Sequence, residues 1–153
     1  MSSEPSYNEV LLQHLDVPLR DGRIAVTADV DGLLIALEMA FPFPRNRLDW
    51  DRVPGAIREG DAGIRNASER FVEFMKRLIA EEHLAGTVFV IGDGPVDLAV
   101  SGDVRDIVNY LPQLTEAPQH TYVFPFPKVA WCASLSFEGW MDFGYALSSP
   151  PTD

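Results

Sequence analysis

Apolar residues recur along the chain at two spacings, which predict helices and strands. From 67 to 83 they repeat at helical intervals, behind a capping pattern of Asn66 and Glu69, and we predict a helix there. Short runs rich in β-branched and aromatic residues predict strands. These runs lie at 23–27, 87–91, 96–100, 120–124, 130–136 and 140–147.

Two more helices follow from apolar spacing. Residues 33–41 are apolar except for Glu38, which predicts a mostly buried helix that ends at the FPFP segment 41–44. A short amphipathic helix is predicted after Ser101, which would cap it. Its apolar positions are Val104, Ile107, Val108 and Leu111.

The segment 87–100 (TVFVIGDGPVDLAV) contains two apolar runs around a glycine-rich turn. Ser101 and Gly102 follow the second run too soon for a helix, so we predict a strand at 96–100. A four-residue loop would then place Ile91 opposite Val96 in a β-hairpin.

A second hairpin is predicted at the end of the chain. A three-residue loop, 137–139, with Gly139 in the left-handed conformation gives one uniformly apolar face. In this register Leu135 opposes Met141 and Ala133 opposes Phe143. Trp140 then lies on the other, polar face.

Together these elements predict a single α+β domain over residues 1–147. Its antiparallel sheet packs against helices, chiefly the helix at 67–83, and residues 148–153 form a disordered tail. A chain of 153 residues is long enough to bury one core of this kind.

The net charge of −11 narrows the set of partners. Nucleic acids and anionic membranes bind basic surfaces, so we expect neither as a direct partner. A basic protein is compatible, because acidic surfaces steer basic ones. No apolar run reaches the ~18 residues of a membrane span, the N-terminus lacks the pattern of a secretory signal, and a single cysteine fits a reducing compartment. We therefore expect a cytoplasmic protein.

Residues 29–32 (DVDG) and 92–97 (GDGPVD) each follow a predicted strand and resemble the first and last motifs of the haloacid-dehalogenase-like phosphatases. The resemblance implies a Mg²⁺-dependent phosphohydrolase with Asp29 as nucleophile and Asp31 as general acid. It also implies that further carboxylates help to hold the metal, namely those of Asp93 and Asp97.

The chain departs from that family in several places. Leu33 stands where a threonine is usual, and no predicted strand ends in the Ser or Thr of the second motif. The final strands have no helix between them, which is typical of an antiparallel rather than a doubly wound sheet. The phosphohydrolase is therefore the alternative hypothesis.

The run 120–144 resembles the ends of some bacterial immunity proteins, small acidic partners of contact-dependent and other polymorphic toxins. The matching features are HTY at 120–122, WC at 131–132, EG at 138–139 and DFG at 142–144. The resemblance implies a non-catalytic protein that binds and neutralises a toxin. Residues 34–51 are also similar to barstar-type ribonuclease inhibitors, in which a helix and an aromatic loop precede an acidic inhibitory helix.

A nuclease site is basic because it binds phosphates, and an inhibitor can present carboxylates in their place. Acidic residues beside aromatic anchors suit this task. One candidate surface comprises Glu138, Trp140 and Asp142, and a second comprises Asp49, Trp50 and Asp51. Further candidates are Asp93, Asp97, Asp103 and Asp106. We expect a cognate basic toxin domain as partner, and we expect no catalytic site and no cofactor.

Overall fold

The computed structural model describes residues 7–44, 47–60, 66–93, 98–116 and 120–146. Its seven strands form one antiparallel sheet in the order β1-β4-β3-β5-β6-β7-β2. The strands are β1 (Ile24–Thr27), β2 (Ile57–Glu59), β3 (Thr87–Gly92), β4 (Ala99–Asp103), β5 (His120–Pro125), β6 (Trp131–Ser136) and β7 (Met141–Tyr145). The predicted antiparallel α+β domain is confirmed.

Helices cover both faces of this sheet. They are α1 (Tyr7–His14), α2 (Asp16–Arg20), α3 (Val30–Ala40), α4 (Ala67–Glu81), α5 (Val104–Val108) and α6 (Leu111–Leu114), with a 3-10 turn at Trp50–Arg52. All except α3 and the 3-10 turn pack on what we call the first face. Helix α3 packs on the second face, and so do residues 41–44 and 47–53, which follow it. The predicted tail, 148–153, lies outside the described residues.

Helix α4 supplies much of the core on the first face, as its apolar spacing predicts. Its buried residues are Phe71, Phe74, Met75 and Leu78. The capping prediction for Asn66 is wrong: this residue adopts a left-handed conformation (φ 60°), and its side chain makes no capping hydrogen bond. Its carbonyl instead accepts a 3.0 Å hydrogen bond from Arg70 N, so backbone geometry starts the helix.

Helix α3 is only half buried, which corrects the expectation of a mostly buried helix. Leu33 and Leu37 face the second-face core, whereas Ile35 and Met39 are 57% and 84% exposed. One side of α3 packs on the sheet, and no described element covers its other side. The carboxylate of Asp29 accepts a 3.2 Å hydrogen bond from Gly32 N and caps the helix.

The hairpin predicted from 87–100 exists, but its register is wrong by three residues. Strand β4 begins at Ala99 and runs through Ser101 and Gly102, so Val90 opposes Val100. Residues 94–97 lie outside the described part of the chain. Gly102 continues the strand because it fits a narrow space, where an added Cβ would lie 2.8 Å from the Arg23 carbonyl oxygen.

We expect Gly102→Ala to lower the free energy of unfolding by about 1–3 kcal/mol, because the new methyl group must displace backbone rather than a flexible side chain. Urea denaturation would measure the loss. The neighbouring Ser101→Ala variant is the matched control and should change stability by less than about 0.5 kcal/mol. Equal stability of the two variants would contradict the close-approach argument.

The start of α5 also differs from its prediction. Asp103, not Ser101, is the capping residue, and its carboxylate accepts a 3.0 Å hydrogen bond from Arg105 N. The apolar positions predicted for this helix are buried, although the segment divides into α5 and α6. Asp103, a candidate for partner binding, is exposed and also has this structural role.

The register of the last hairpin is confirmed: Leu135 opposes Met141, Ala133 opposes Phe143, and Gly139 has φ 103°. However, the polar side of this hairpin is not open to solvent. Cys132, Ser134 and Asp142 are all buried. Residues 41–44 and 47–53, which we call the covering chain, lie over this part of the second face, because Phe41, Leu48, Trp50 and Val53 pack there in the same core.

Candidate functional site

A pocket of about 560 Å³ lies between the covering chain and the second face of the sheet. We call it the polar pocket. Residues 44 and 47–52 form one wall. The sheet and the β6–β7 turn form the rest, through Arg58, His120, Tyr122, Ser134, Ser136, Glu138, Trp140 and Asp142.

Strand periodicity explains why these sheet residues meet. Side chains two positions apart point to the same face, so β5 contributes His120 and Tyr122, and β6 contributes Ser134 and Ser136. Pairing places His120 directly opposite Ser136. The second face therefore presents polar side chains at the strand ends and apolar ones further along.

An ion pair between a half-exposed arginine and a buried aspartate lies on one side of the pocket. Asp142 is only 3% exposed, and it accepts a 2.7 Å hydrogen bond from Arg58 Nε. Burial raises the pKa of Asp142, although Arg58 opposes this shift, and the bond to Asp142 raises the pKa of Arg58. The Arg58 guanidinium also lies 5.4 Å from the Trp140 ring centroid. Asp142 is therefore already neutralised within the protein.

Hydroxyl groups on the pocket floor accept hydrogen bonds from the protein. Ser134 Oγ accepts a 2.9 Å bond from the Trp50 indole nitrogen. The Tyr122 hydroxyl and Ser136 Oγ accept bonds from backbone nitrogens, at 3.4 Å from Leu48 and 3.1 Å from Trp140. Burial raises the pKa of Tyr122 well above its usual value, so this hydroxyl is protonated at neutral pH.

Asp93 holds His120 at the edge of the pocket. Its carboxylate accepts a 2.5 Å hydrogen bond from the backbone nitrogen of His120 and lies 2.7 Å from the ring Nδ1. The His120 ring stacks on Tyr122. These contacts fix the ring and leave Nε2 as the nitrogen that Asp93 does not engage.

The structure joins the two surfaces that sequence analysis treated separately. All six residues of the candidate sets 49–51 and 138, 140 and 142 line the polar pocket. Asp93 contacts His120 just after the end of β3. Asp103 pairs with the first residue of β3, so Asp103 and Asp106 lie towards the opposite end of the strands. Asp97 lies outside the described residues.

Only part of this set is available to a partner. Trp50 is 7% exposed and belongs to the core, and Asp49 caps the 3-10 turn and pairs with Arg52 at 3.3 Å. Asp51 and Glu138 are exposed, and neither has an ion-pair partner within the described ranges. We call these two residues the acidic rim, beside which Trp140 is half-buried.

Two of the carboxylates of the phosphohydrolase hypothesis, Asp29 and Asp93, lie on different strand ends. β1 and β3 both run antiparallel to β4, so Asp29 and Asp93 follow strands that end at one edge of the sheet. However, β4 lies between those strands, which separates them by ~10 Å. Within the part of the chain that the structure describes, no group of three His, Cys, Asp or Glu residues could hold a metal ion.

The candidates from the sequence did not include Arg47 or Arg58. They also did not include the strand residues His120, Tyr122, Ser134 and Ser136, and all six of these line the pocket. The signal that could have found the strand residues is the alternation of polar residues at i and i+2 in β5 and β6. Arg58 lies in β2, an edge strand of only three residues. A strand this short has too few residues for an alternating apolar pattern to be recognised in the sequence.

The sequence matches no model of a known protein family and no curated protein. None of the described helices combines the length and the apolar character that crossing a bilayer requires.

Proposed function

We propose that this chain is a non-catalytic immunity-type protein that binds and neutralises a toxin domain through the polar pocket and its acidic rim. One observation carries the proposal. Two acidic, aromatic segments that are about 90 residues apart in sequence, 49–51 and 138–142, converge on one pocket. The resemblance of 120–144 to immunity proteins covers the strands that form most of the pocket floor.

Charge supports a basic partner. The whole chain carries −11, and Asp51 and Glu138 are exposed carboxylates beside the partly exposed ring of Trp140. Exposed charges around an aromatic side chain are typical of an interface that steers its partner electrostatically and then packs against it. A toxin that cleaves nucleic acid has the matching basic site, and its inhibitor would act in the cytoplasm.

The test uses the toxin-like domain encoded beside this gene, in a catalytically inactive form. We expect the association rate to fall as salt rises, and the double variant Asp51→Lys, Glu138→Lys to associate at least about tenfold more slowly at low salt. Stopped-flow measurements at several salt concentrations would determine both rates.

Glu116→Lys is the matched control, since Glu116 is exposed and follows α6 on the first face of the sheet. It should slow association much less than the double variant. Failure to bind, or hydrolysis of an aryl phosphate that requires Mg²⁺ and Asp29, would overturn the proposed function.

A further inference from the structure

The floor of the polar pocket offers hydrogen-bond donors that the protein does not use. A hydroxyl that accepts a hydrogen bond still has its own proton to donate. Tyr122, Ser134 and Ser136 each accept a bond from a protein nitrogen, and within the described residues none of the three donates to an acceptor. We call these three hydroxyls the donor floor.

Burial increases the free energy that a hydrogen bond from these hydroxyls can contribute to ligand binding. Tyr122 and Ser134 are both about 4% exposed. A buried donor without an acceptor is costly, so a ligand that brings an acceptor gains more here than it would at the surface. Each hydroxyl oxygen already accepts one hydrogen bond from a protein nitrogen. A ligand can therefore use the O–H proton of each as a donor, besides one remaining lone pair.

Arg47 adds a positive charge above this floor. It lines the pocket, it is exposed, and it has no ion pair with any residue that the structure describes. Arg47 and Tyr122 line the same pocket. A guanidinium binds a carboxylate through two parallel hydrogen bonds, and hydroxyls can supply the remaining ones.

We propose that the donor floor and Arg47 together bind a carboxylate side chain, an aspartate or glutamate that the toxin inserts into the polar pocket. This inference rests on the proposed function. The acidic rim would repel a free small acid, so the carboxylate arrives within a basic protein surface. A nuclease site has this composition, because carboxylates that act as general bases or metal ligands lie among basic side chains.

Arg47→Glu separates this proposal from charge steering alone. The substitution makes the pocket mouth more acidic, so steering alone predicts faster association and binding at least as tight as that of the unmodified protein. A carboxylate in the pocket would instead lose its charged partner and meet a like charge. We expect the dissociation rate to rise about tenfold or more.

Tyr122→Phe and Ser136→Ala test the floor itself by the same measurement. Each should raise the dissociation rate about three- to tenfold while leaving the association rate near that of the unmodified protein. Tyr145→Phe is the matched control, since Tyr145 is half-exposed at the far end of β7. Circular dichroism checks folding, and Ser136→Ala decides the question if Tyr122→Phe fails to fold.

A small-molecule titration needs no toxin. N-acetylglutamate N-methylamide should shift the indole N–H signals of Trp50 and Trp140 saturably in NMR spectra at about 0.5 M salt, where the rim is screened. The lysine analogue should not do so, and Trp131, which packs on the first face, should not respond.

The two proposals fail in different ways. If the glutamate analogue shifts the indole signals but no toxin binds, the proposed function is wrong and the donor floor remains a carboxylate site. Toxin binding that Arg47→Glu leaves equally tight, together with no saturable shift, overturns this inference and leaves the immunity function standing.

Discussion

Trp50→Ala should lower the free energy of unfolding by about 3–5 kcal/mol, the largest single-residue effect that we expect in this protein. The indole is 7% exposed and donates to Ser134 at 2.9 Å. It also packs close to Gly144, where an added Cβ would lie 3.1 Å from the indole ring. Truncation therefore leaves both a cavity under the pocket wall and an unsatisfied buried hydroxyl.

Urea denaturation would measure this loss as a lower midpoint at an unchanged m value. Trp50→Phe is the control, because it keeps a six-membered aromatic ring in the core and removes the indole nitrogen with the rest of the five-membered ring. Its loss should be clearly smaller. A loss below about 1 kcal/mol for Trp50→Ala would show that the residue is not the core element that its burial indicates.

Arg58→Ala should lower stability by about 1–3 kcal/mol at pH 7, because it leaves Asp142 as a buried carboxylate without its cation. Breaking a fully buried pair costs more, roughly 3–5 kcal/mol, but the Arg58 side chain is 49% exposed and solvent screens part of its interaction.

The pH dependence of this loss has a definite sign. Burial raises the pKa of Asp142, and Arg58→Ala removes the group that opposes this shift. The folded variant then binds a proton more tightly than the unfolded chain does. The contribution of Asp142 to the stability of the variant is greatest below the unfolded pKa of about 3.9 and is lost as pH rises through the folded pKa. The difference in the free energy of unfolding between Arg58→Ala and the unmodified protein should therefore be small at low pH and increase towards neutral pH.

Asp142→Asn completes the test, because the amide has no charge to bury. Adding Arg58→Ala to Asp142→Asn should cost less than Arg58→Ala alone, and the double variant should lose the pH dependence that this pair introduces. Additive losses at every pH would show that the two side chains do not interact as the 2.7 Å contact indicates.

Much of the fold could be predicted because its signals are local. The spacing in α4, the alternation in β6 and β7 and the glycine at 139 each act within a few residues, and they gave the correct elements and the correct last register. The register of β4 failed for the opposite reason. Gly102 was interpreted as a break, whereas it is required by the backbone near Arg23, about 80 residues away in sequence.

The polar pocket could not be predicted because its contacts are distant in sequence. Trp50 and Ser134 are 84 residues apart, and so are Arg58 and Asp142. Composition showed that acidic and aromatic residues occur together, but only the packing of the covering chain on the sheet shows which of them stay exposed. Asp142 was predicted as a surface acid and proves to be buried and paired.

The three-residue strand β2 has a consequence for how this protein behaves in concentrated solution. An edge strand with free backbone groups can template pairing with another chain, and short, charged edges discourage this. β2 carries Arg58 and Glu59, which are held by Asp142 and by Arg77 at 2.8 Å. Arg58, which neutralises the buried carboxylate of Asp142, is therefore also one of the charges that discourage another chain from pairing with the edge strand β2.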